Sequence, residues 1–289
     1  LREASFNKFK YRLASWGTGE RFDGGMYPKF LGWKSREVDL LPRRLEGLVL
    51  VTWKKDCLDL PEKVYEERVL DCDQSTLRVA KSLSRLYSGI ELQSKLRQLS
   101  DGFQYQQEEG EARETQYGES PKDKEIEDLL EEYNQPPYRL VIYAAFVASI
   151  DKLVKIAINN NWRVWRYDGR GQSSFAPPGQ TQTDITEASF QESTKDNKPI
   201  VFIGNPEAAG QSLTLTPSPA IVYYSNSFKS QFRVQSEDRI NRFGASKERG
   251  IKIIDLIHLP TDRLVLQKIK EKRAVEEITL NQIHELLGE

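Results

Sequence analysis

The sequence predicts an α/β protein whose main unit is a doubly wound parallel sheet. Beyond residue 124, short apolar runs alternate with segments of helical periodicity, the pattern of strands connected by helices. The runs are apolar at consecutive positions, as expected for strands that are buried on both faces. The predicted strands are 139–143, 162–167, 200–203, 220–224 and 251–257, and the predicted helices are 124–133, 149–159, 183–192, 230–241 and 261–287.

Upstream of residue 124 the sequence predicts a smaller, mixed unit. Residues 1–46 carry many aromatic and basic side chains, and glycines divide them into short helices and loops. Residues 104–121 hold Gln, Glu, Gly and Ser with almost no aliphatic side chain, which is typical of an exposed linker. The predicted organisation is therefore a first unit at 1–103, a polar linker at 104–123 and the sheet at 124–289. The predicted elements of the first unit are strands at 48–51 and 64–72 and a helix at 74–99.

The composition fits a globular protein and excludes several classes. The 42 Lys and Arg balance the 43 Asp and Glu, so any nucleic-acid footprint must be local. Cys57 and Cys72 are too few for a disulfide scaffold and favour a reducing, cytoplasmic compartment. No apolar run approaches the ~20 residues that cross a bilayer, so no membrane partner is expected. The only histidines, His258 and His284, lie far apart with no cysteine near either, and no metal site is predicted.

The most specific stretch of the sequence is 235–244, Gln-Ser-Glu-Asp-Arg-Ile-Asn-Arg-Phe-Gly. Arg239 and Arg242 are three residues apart, so both would project from one face of a helix, with Gln235 on the same face. Two guanidiniums on one face can clamp phosphate oxygens because each stays charged and donates from a planar fork. Read alone, the same stretch also fits a solvated helix whose acidic residues pair with basic neighbours.

Two further stretches follow predicted strands. Residues 204–216 contain Gly210, whose lack of a side chain allows close approach of a ligand, and hydroxyls at Ser212, Thr214 and Thr216. Residues 166–171 form a turn by composition, and Arg170 and its neighbours could hold a nucleic-acid phosphate. Each stretch by itself also fits an ordinary loop or turn.

Two motifs of nucleotide hydrolysis are missing from the sequence. There is no Gly-x4-Gly-Lys-Ser/Thr, so no phosphate-cradling P-loop is predicted, and no Asp-Glu pair follows an apolar strand to hold Mg²⁺. A doubly wound sheet places its ligand at the carboxyl ends of its strands. We therefore expect the functional loops to be those after Tyr143, Tyr167, Ile203, Tyr224 and Ile257.

In their order along the chain, these stretches resemble motifs of Swi/Snf-type superfamily 2 ATPases. Residues 235–244 resemble motif VI, 210–216 resemble motif V, and 139–151 resemble motif IV. Upstream, 53–63 resembles the stretch that leaves the first lobe of the motor, and 96–99 resembles the helix before the inter-lobe connection. The resemblance covers nearly the whole chain and is closer to compact phage or bacterial relatives than to large chromatin remodellers.

The resemblance implies a motor of two RecA-like lobes, with ATP between them and DNA crossing both. The chain would be the C-terminal part of such an ATP-dependent DNA helicase or translocase: an α-helical and β remnant of the first lobe, followed by the complete second, RecA-like lobe. The missing N-terminal ATPase lobe would hold most of the ATP and Mg²⁺. Since the chain does not begin with Met, we expect it to be processed or truncated. Since it has no P-loop, we expect it to be inactive alone.

The resemblance also implies roles for individual residues. Arg239 and Arg242 would be arginine fingers that contact the γ-phosphate, and such a finger contributes roughly 10³–10⁵ in rate. Gln235, Gly210 and Thr214 would contact the nucleotide. The contacts to the backbone of duplex DNA that the resemblance implies are Tyr143, Arg170, Ser212 and Thr216.

Three departures from the family pattern bear on these roles. Ala144 and Ala145 stand where motif IV often has Ser or Thr, Ser212 and Thr214 stand where motif V often has Gly and Asn, and Asn241 replaces a frequent His. Both arginines remain. The alternative is a non-catalytic module that keeps the lobe fold and binds DNA or a protein through basic loops. The expected location is the cytoplasm of a bacterium or of a phage-infected host cell.

Overall fold

The fold is given by a computed structural model that describes two compact units, Leu1–Leu58 and Asp59–Glu289. The predicted strand at 48–51 lies outside the described residues, as does the predicted helix beyond residue 271. The residues described are 6–20, 25–40, 59–108, 111–116, 118, 120–192, 198–209, 213–227, 229–246 and 250–271.

The first unit is a two-stranded hairpin flanked by helices. Its elements are α1 (Phe6–Leu13), β1 (Ala14–Glu20), β2 (Met26–Trp33) and α2 (Ser35–Asp39). The sequence predicted short helices and loops in this unit, because glycines indicate breaks between elements rather than strands. The antiparallel pair places Trp16 opposite Phe30, with ring centroids 5.5 Å apart, and Phe30 contacts Trp33 at 5.2 Å. Such ring pairs each stabilise by about 0.5–1.5 kcal/mol beyond their buried area.

The second unit contains a seven-stranded sheet and a separate hairpin. Its strands are β3 (Lys63–Val69), β4 (Phe103–Glu108), β5 (Glu111–Gln116), β6 (Arg139–Tyr143), β7 (Arg163–Asp168), β8 (Gly171–Phe175), β9 (Ile200–Gly204), β10 (Ala220–Tyr223) and β11 (Ile251–Ile257). The sheet order is β3-β11-β10-β6-β9-β7-β8, parallel except for β8. Every residue of β6, β9 and β10 is buried. The predicted doubly wound α/β fold is confirmed.

Helices cover both faces of this sheet. They are α3 (Gln74–Leu86), α4 (Gly89–Ser100), α5 (Pro121–Glu132), α6 (Val147–Asn159), α7 (Glu187–Gln191), α8 (Pro206–Ala209), α9 (Ser230–Glu237) and α10 (Pro260–Lys270). One core forms where α5 and α6 bring Leu130 and Leu153 against the sheet. The opposite core includes Phe190, Leu215 and Ile240. Truncating one of these fully buried side chains to Ala costs about 2–5 kcal/mol, because a cavity remains.

The boundary between the units differs from the one expected at 104–123. Strand β3, expected in the first unit, is the edge of the seven-stranded sheet and pairs with β11 along its whole length, from Lys63 opposite Ile251 to Val69 opposite Ile257. A local pattern predicts that a strand exists, but it does not say which sheet the strand joins. The unit that contains the sheet therefore begins at Asp59.

The segment predicted to be a linker contains the β4–β5 hairpin. Its sequence lacks the apolar alternation of a strand. The hairpin is held instead by polar contacts to neighbouring helices. The amide of Tyr105 donates to Gln98 Oε1 on α4 at 3.0 Å, and the Tyr105 hydroxyl accepts from the amide of Ala148 at the start of α6 at 3.1 Å. The hairpin is thus part of the sheet-containing unit.

A buried ionic network joins α4, α5, α6 and α10 at the carboxyl edge of the sheet. Lys122 and Asp101 are 1% and 0% exposed, and the Lys122 ammonium donates to Asp101 Oδ1 at 3.1 Å and to the carbonyl of Tyr224 at 3.0 Å. Asp262 lies 3.4 Å from the same ammonium, and Ser149 donates to Asp101 at 2.6 Å. Burial opposes the charge on Lys122, but the two carboxylates outweigh it and raise its pKa.

His258, at the end of β11, adjoins this network and gives it a pH dependence. The side chain is 5% exposed, with Nδ1 3.0 Å from the carbonyl oxygen of Ser100. Burial and then the charge of Lys122 hold the pKa of His258 below its ordinary value of 6.5, against the opposing effects of the Ser100 hydrogen bond, Asp262 and Asp73. The folded protein therefore favours the neutral imidazole.

We expect the free energy of unfolding to fall as the pH drops below about 6.5, because the unfolded chain then binds a proton that folded His258 resists. The loss should continue down to the folded pKa. In His258→Asn, which keeps a donor for the Ser100 carbonyl, this dependence should weaken between pH 6.5 and 5. Urea unfolding at each pH measures it, and equal slopes for the two proteins would contradict the prediction.

Candidate functional site

The candidate residues reach the site through two crossovers of the chain. After β9 ends at Gly204, α8 follows, and the chain returns to the amino ends of the strands, where residues 213–219 lead into β10. After β10, α9 does the same, and residues 238–246 lead into β11. The ends of both crossovers therefore lie at the amino ends of the strands. The expectation of a site at the carboxyl ends was wrong for these residues, since each crossover must return across the sheet before its next strand begins.

Arg239 and Arg242 lie in a loop that follows α9 rather than on the helix. The helix ends at Glu237, and residues 238–245, which we name the arginine loop, form turns. The Arg239 carbonyl accepts from the amide of Leu215 at 2.9 Å, and Arg242 Nη1 donates to Thr214 Oγ1 at 3.4 Å. Gly244 closes the loop with φ of 95°, a conformation that favours glycine. The two predicted stretches, 204–216 and 235–244, are thus in direct contact.

The electrostatics of the arginine loop favour an anionic ligand. Arg239 and Arg242 are both partly buried. Burial, followed by the charge of Arg242, lowers the pKa of Arg239, while Tyr143, Asp238 and Glu187 act in the opposite direction. Within the described part of the chain, Arg242 forms no ion pair within 4.0 Å. Two like charges held together repel each other, and a phosphate between them would relieve that repulsion.

Helix α7 supports the threonines beside the arginine loop. Glu187 Oε1 accepts from the amide of Thr214 at 2.8 Å, Gln191 Oε1 accepts from the Thr216 hydroxyl at 3.2 Å, and Gln191 Nε2 donates to the Thr214 carbonyl. Sequence reasoning missed Glu187 and Gln191, because a Glu and a Gln four residues apart on a short helix carry no signal. The contacts fix the Thr214 backbone and therefore the place where Arg242 donates.

A cavity of about 510 Å³ opens beside this loop, at the amino ends of β6, β10 and β11. Its wall combines hydroxyls with glycine and proline backbone. The lining residues include Tyr138, Thr216, Ser218, Gly244 and Ser246. The cavity is large enough for part of a small ligand, and Thr216 connects it to the Thr214 contacts.

The other predicted nucleotide contacts have different outcomes. Gly210 and Ser212 lie outside the described residues. Gln235 is partly buried on α9, and its Oε1 atom has no hydrogen-bond partner among the described residues. Asn241, in the arginine loop, is 8% exposed and its Oδ1 atom is likewise unsatisfied by that part of the chain. A buried acceptor without a donor is costly, so both amides are suited to a donor from outside the described residues.

Tyr143 does not lie where DNA could contact it. Its side chain is 0% exposed and stacks on Tyr223, with centroids 5.7 Å apart and planes 25° apart. Burial raises the pKa of its hydroxyl, and the charge of Arg239 acts in the opposite direction. The assignment of Tyr143 as a DNA contact is therefore a wrong prediction. A strand that is buried on both faces turns even its polar residues inward.

Arg170 lies at the carboxyl end of β7, and its guanidinium is occupied by two carboxylates. It donates to Asp151 at 2.7 and 3.0 Å and to Asp168 at 2.6 Å. These ion pairs raise the pKa of Arg170. A phosphate would have to compete with both aspartates for this guanidinium. Arg170 therefore lies in a charge-balanced turn. It is also apart from the arginine loop, which lies at the amino ends of the strands.

The fold of the sheet-containing unit matches that of a RecA-like lobe, as found in helicase ATPase domains. The C-terminal part of the Fun30 ATPase domain superposes with a TM-score of 0.52 at 14% identity, covering 79% of this chain and 96% of that one. The Sulfolobus solfataricus SWI2/SNF2 ATPase core in complex with dsDNA also gives 0.52, at 16% identity, covering 88% of this chain and 56% of that one. These likenesses confirm the resemblance to Swi/Snf-type ATPases at the level of the fold.

Curated relatives match a smaller part of the chain. Helicase SWR1 from two strains of Cryptococcus neoformans var. neoformans serotype D is 20% identical over 155 residues, which is 54% of this chain. The match spans 12% and 8% of the length of those two proteins. No family model matches the chain.

The described residues contain no group of three or more His, Cys, Asp or Glu side chains that could hold a metal ion. Among the same residues, every helix is too short or too polar to cross a bilayer.

Proposed function

We propose that the chain is the C-terminal part of an ATP-dependent DNA translocase or helicase and supplies Arg239 and Arg242 to ATP hydrolysis. The observation that carries this proposal is the arginine loop at one edge of a RecA-like lobe, where the Arg242 guanidinium donates to Thr214 and the Arg239 backbone accepts from Leu215. Both side chains are partly buried, so their charges act in a medium of lower dielectric than water.

The two arginines would stabilise charge on the phosphoryl oxygens as the terminal phosphate is transferred. Arg242 can turn from the 3.4 Å contact with Thr214 towards a phosphate, and Arg239 is held by its backbone to Leu215. ATP with Mg²⁺ would supply the phosphoryl group, and the Mg²⁺ would be held mainly by a first lobe. Gln235 and Asn241 would add amide groups at the same edge, with Thr214 beside the nucleotide.

The proposal extends to DNA and to the organisation of the motor. Contacts to DNA would come from Ser212, Thr216 and the loops of this lobe, in a cytoplasmic protein. Residues 1–58 would belong to the first lobe. Opening and closing of the lobes as nucleotide binds and leaves is a ligand-driven population shift, which would step the protein along DNA.

The isolated chain should show no DNA-stimulated ATP hydrolysis, since its sequence has no P-loop to cradle the phosphates. Joining it to a first lobe that carries the P-loop should give turnover, measured as phosphate released with and without duplex DNA. A Lys→Ala change in that P-loop is the control for contaminating activity. Turnover by the isolated chain would contradict the split site, and salt-dependent duplex binding without turnover in the joined protein would favour the non-catalytic module.

A further inference from the structure

Glu237, the last residue of α9, has both carboxylate oxygens fully engaged. Oε1 accepts from Arg233 Nε at 2.7 Å, while Oε2 accepts from Lys63 Nζ at 3.0 Å and from the Tyr65 hydroxyl at 3.0 Å. The Glu237 side chain is 8% exposed. Burial alone would raise its pKa, but the charges of Arg233 and Lys63 outweigh burial and lower it. The group therefore stays ionised and tightly held.

The partners of Glu237 are themselves fixed to the sheet. Arg233 donates from both terminal nitrogens to Asp255 on β11, at 2.6 and 2.9 Å, and its guanidinium lies 3.6 Å from the ring centroid of Tyr223 on β10. Lys63 and Tyr65 belong to β3, which pairs with β11. Strand β3 thus bonds the Glu237 carboxylate directly, and β10 and β11 hold it through Arg233.

The backbone of Glu237 is also hydrogen-bonded to the arginine loop. The carbonyl of Glu237 accepts from the amide of Asn241 at 3.2 Å, and Arg239 follows Glu237 by two residues. Any tilt of the helix end would displace both guanidiniums together. Catalytic groups must be held within about 0.5 Å of their productive positions, and a displacement of about 1 Å can cost about 10²-fold in rate.

We propose that Glu237, held by Lys63 and Tyr65, is a positioning residue that couples strand β3 to the arginine loop. Because Lys63 and Tyr65 both lie on β3, a shift of this strand relative to α9 would reach the arginine loop through these two hydrogen bonds. The inference rests on the proposed role of the arginine loop and names residues that act on it without touching the nucleotide.

The test uses the complete, two-lobed protein and the variant Lys63→Met, which removes one donor to Glu237. Turnover should fall about 10-fold, with the KM for ATP and the affinity for DNA unchanged, because only the placement of the loop is affected. Lys63→Arg should recover most of the lost turnover. The matched control is Lys270→Met, which breaks a β3 ion pair of 2.7 Å to Glu67 that does not lead to the loop, and it should leave turnover unchanged.

A positioning role is separated from a structural one by a second background. In the double variant Arg239→Ala/Arg242→Ala, adding Lys63→Met should lower single-turnover hydrolysis no further, since there is no finger left to misplace. A further 10-fold loss in that background would overturn the inference. So would normal turnover of Lys63→Met in a protein that Arg242→Ala inactivates, and that pair of results would leave the proposed function standing.

A milder variant keeps the test decisive where Lys63→Met does not fold. Tyr65→Phe removes only the second hydrogen bond to Glu237 and should lower turnover about 3-fold, again with an unchanged KM. Burial and the nearby Glu237 raise the pKa of Tyr65 to about 12, so the hydroxyl donates throughout the usual assay range. Normal turnover of Tyr65→Phe would overturn the coupling, whereas normal turnover of Arg242→Ala would overturn the proposed function itself.

Discussion

Replacing Arg242 by alanine in the complete protein should lower the turnover of ATP by at least ~100-fold and leave nucleotide binding largely intact. Among the described residues, Arg242 donates only to Thr214, at 3.4 Å, which is a weak neutral contact that it can exchange for a charged phosphate oxygen. The interaction is strongest when negative charge develops in the transition state, so its loss appears in kcat rather than in KM. Steady-state phosphate release and equilibrium binding of a fluorescent nucleotide measure the two quantities.

The control for this prediction is an arginine of the same lobe that has no part in the site. Arg263, on α10, is 60% exposed and lies 3.7 Å from Glu67, a surface pair that contributes little. Arg263→Ala should keep normal turnover. Arg242→Lys should remain strongly impaired, because an ammonium cannot reproduce the planar fork of a guanidinium. Near-normal turnover of Arg242→Ala would remove the finger role from the arginine loop.

Replacing Lys122 by methionine should lower the free energy of unfolding of the sheet-containing unit by about 3–5 kcal/mol. The change leaves Asp101, which is 0% exposed, without its ammonium partner, and an unpaired buried charge is far more costly than the lost attraction. Hydrogen exchange of the β6 and β9 amides reports the global opening of this unit. Methionine is chosen because it fills a volume close to that of the lysine stem.

Lys124 provides the matched control, since it lies on the same helix and is exposed. Lys124→Met should change the free energy of unfolding by less than about 0.5 kcal/mol. A loss of under 1 kcal/mol for Lys122→Met would mean that Asp101 finds another donor or takes up a proton. In that case the carboxyl edge of the sheet would not depend on Lys122.

Local pattern alone predicted most strands of the sheet and the pairing of the two arginines in one candidate stretch. The runs at 139–143, 200–203 and 251–257 predicted β6, β9 and β11, because a strand that is buried on both faces must be apolar at consecutive positions. The spacing of Arg239 and Arg242 predicted that the two guanidiniums act together. These features are legible in sequence because they depend on near neighbours.

Tertiary structure decided where the arginines point. The sequence shows no helix breaker before Gly244, and the predicted helix ran to Asn241, yet α9 ends at Glu237. The Arg239 carbonyl there accepts from Leu215 instead of continuing the helix. A helix ends where a distant donor offers its carbonyl a better partner, and that donor is invisible to a local pattern.

Tertiary structure also decided that β3 joins the seven-stranded sheet and that β4 and β5 form a hairpin. It likewise decided that Tyr143 is buried and that α7 supports Thr214. Strand β3 precedes the polar segment, so the sequence predicted it in the first unit, and the hairpin is polar, so the sequence predicted a linker there. Contacts with residues far along the chain fix both. Tyr143 ends an apolar run but carries a polar hydroxyl, so the sequence was compatible with either a buried or an exposed side chain. Sequence records the preferences of short segments, whereas the position of a side chain depends on which segments the folded chain brings together.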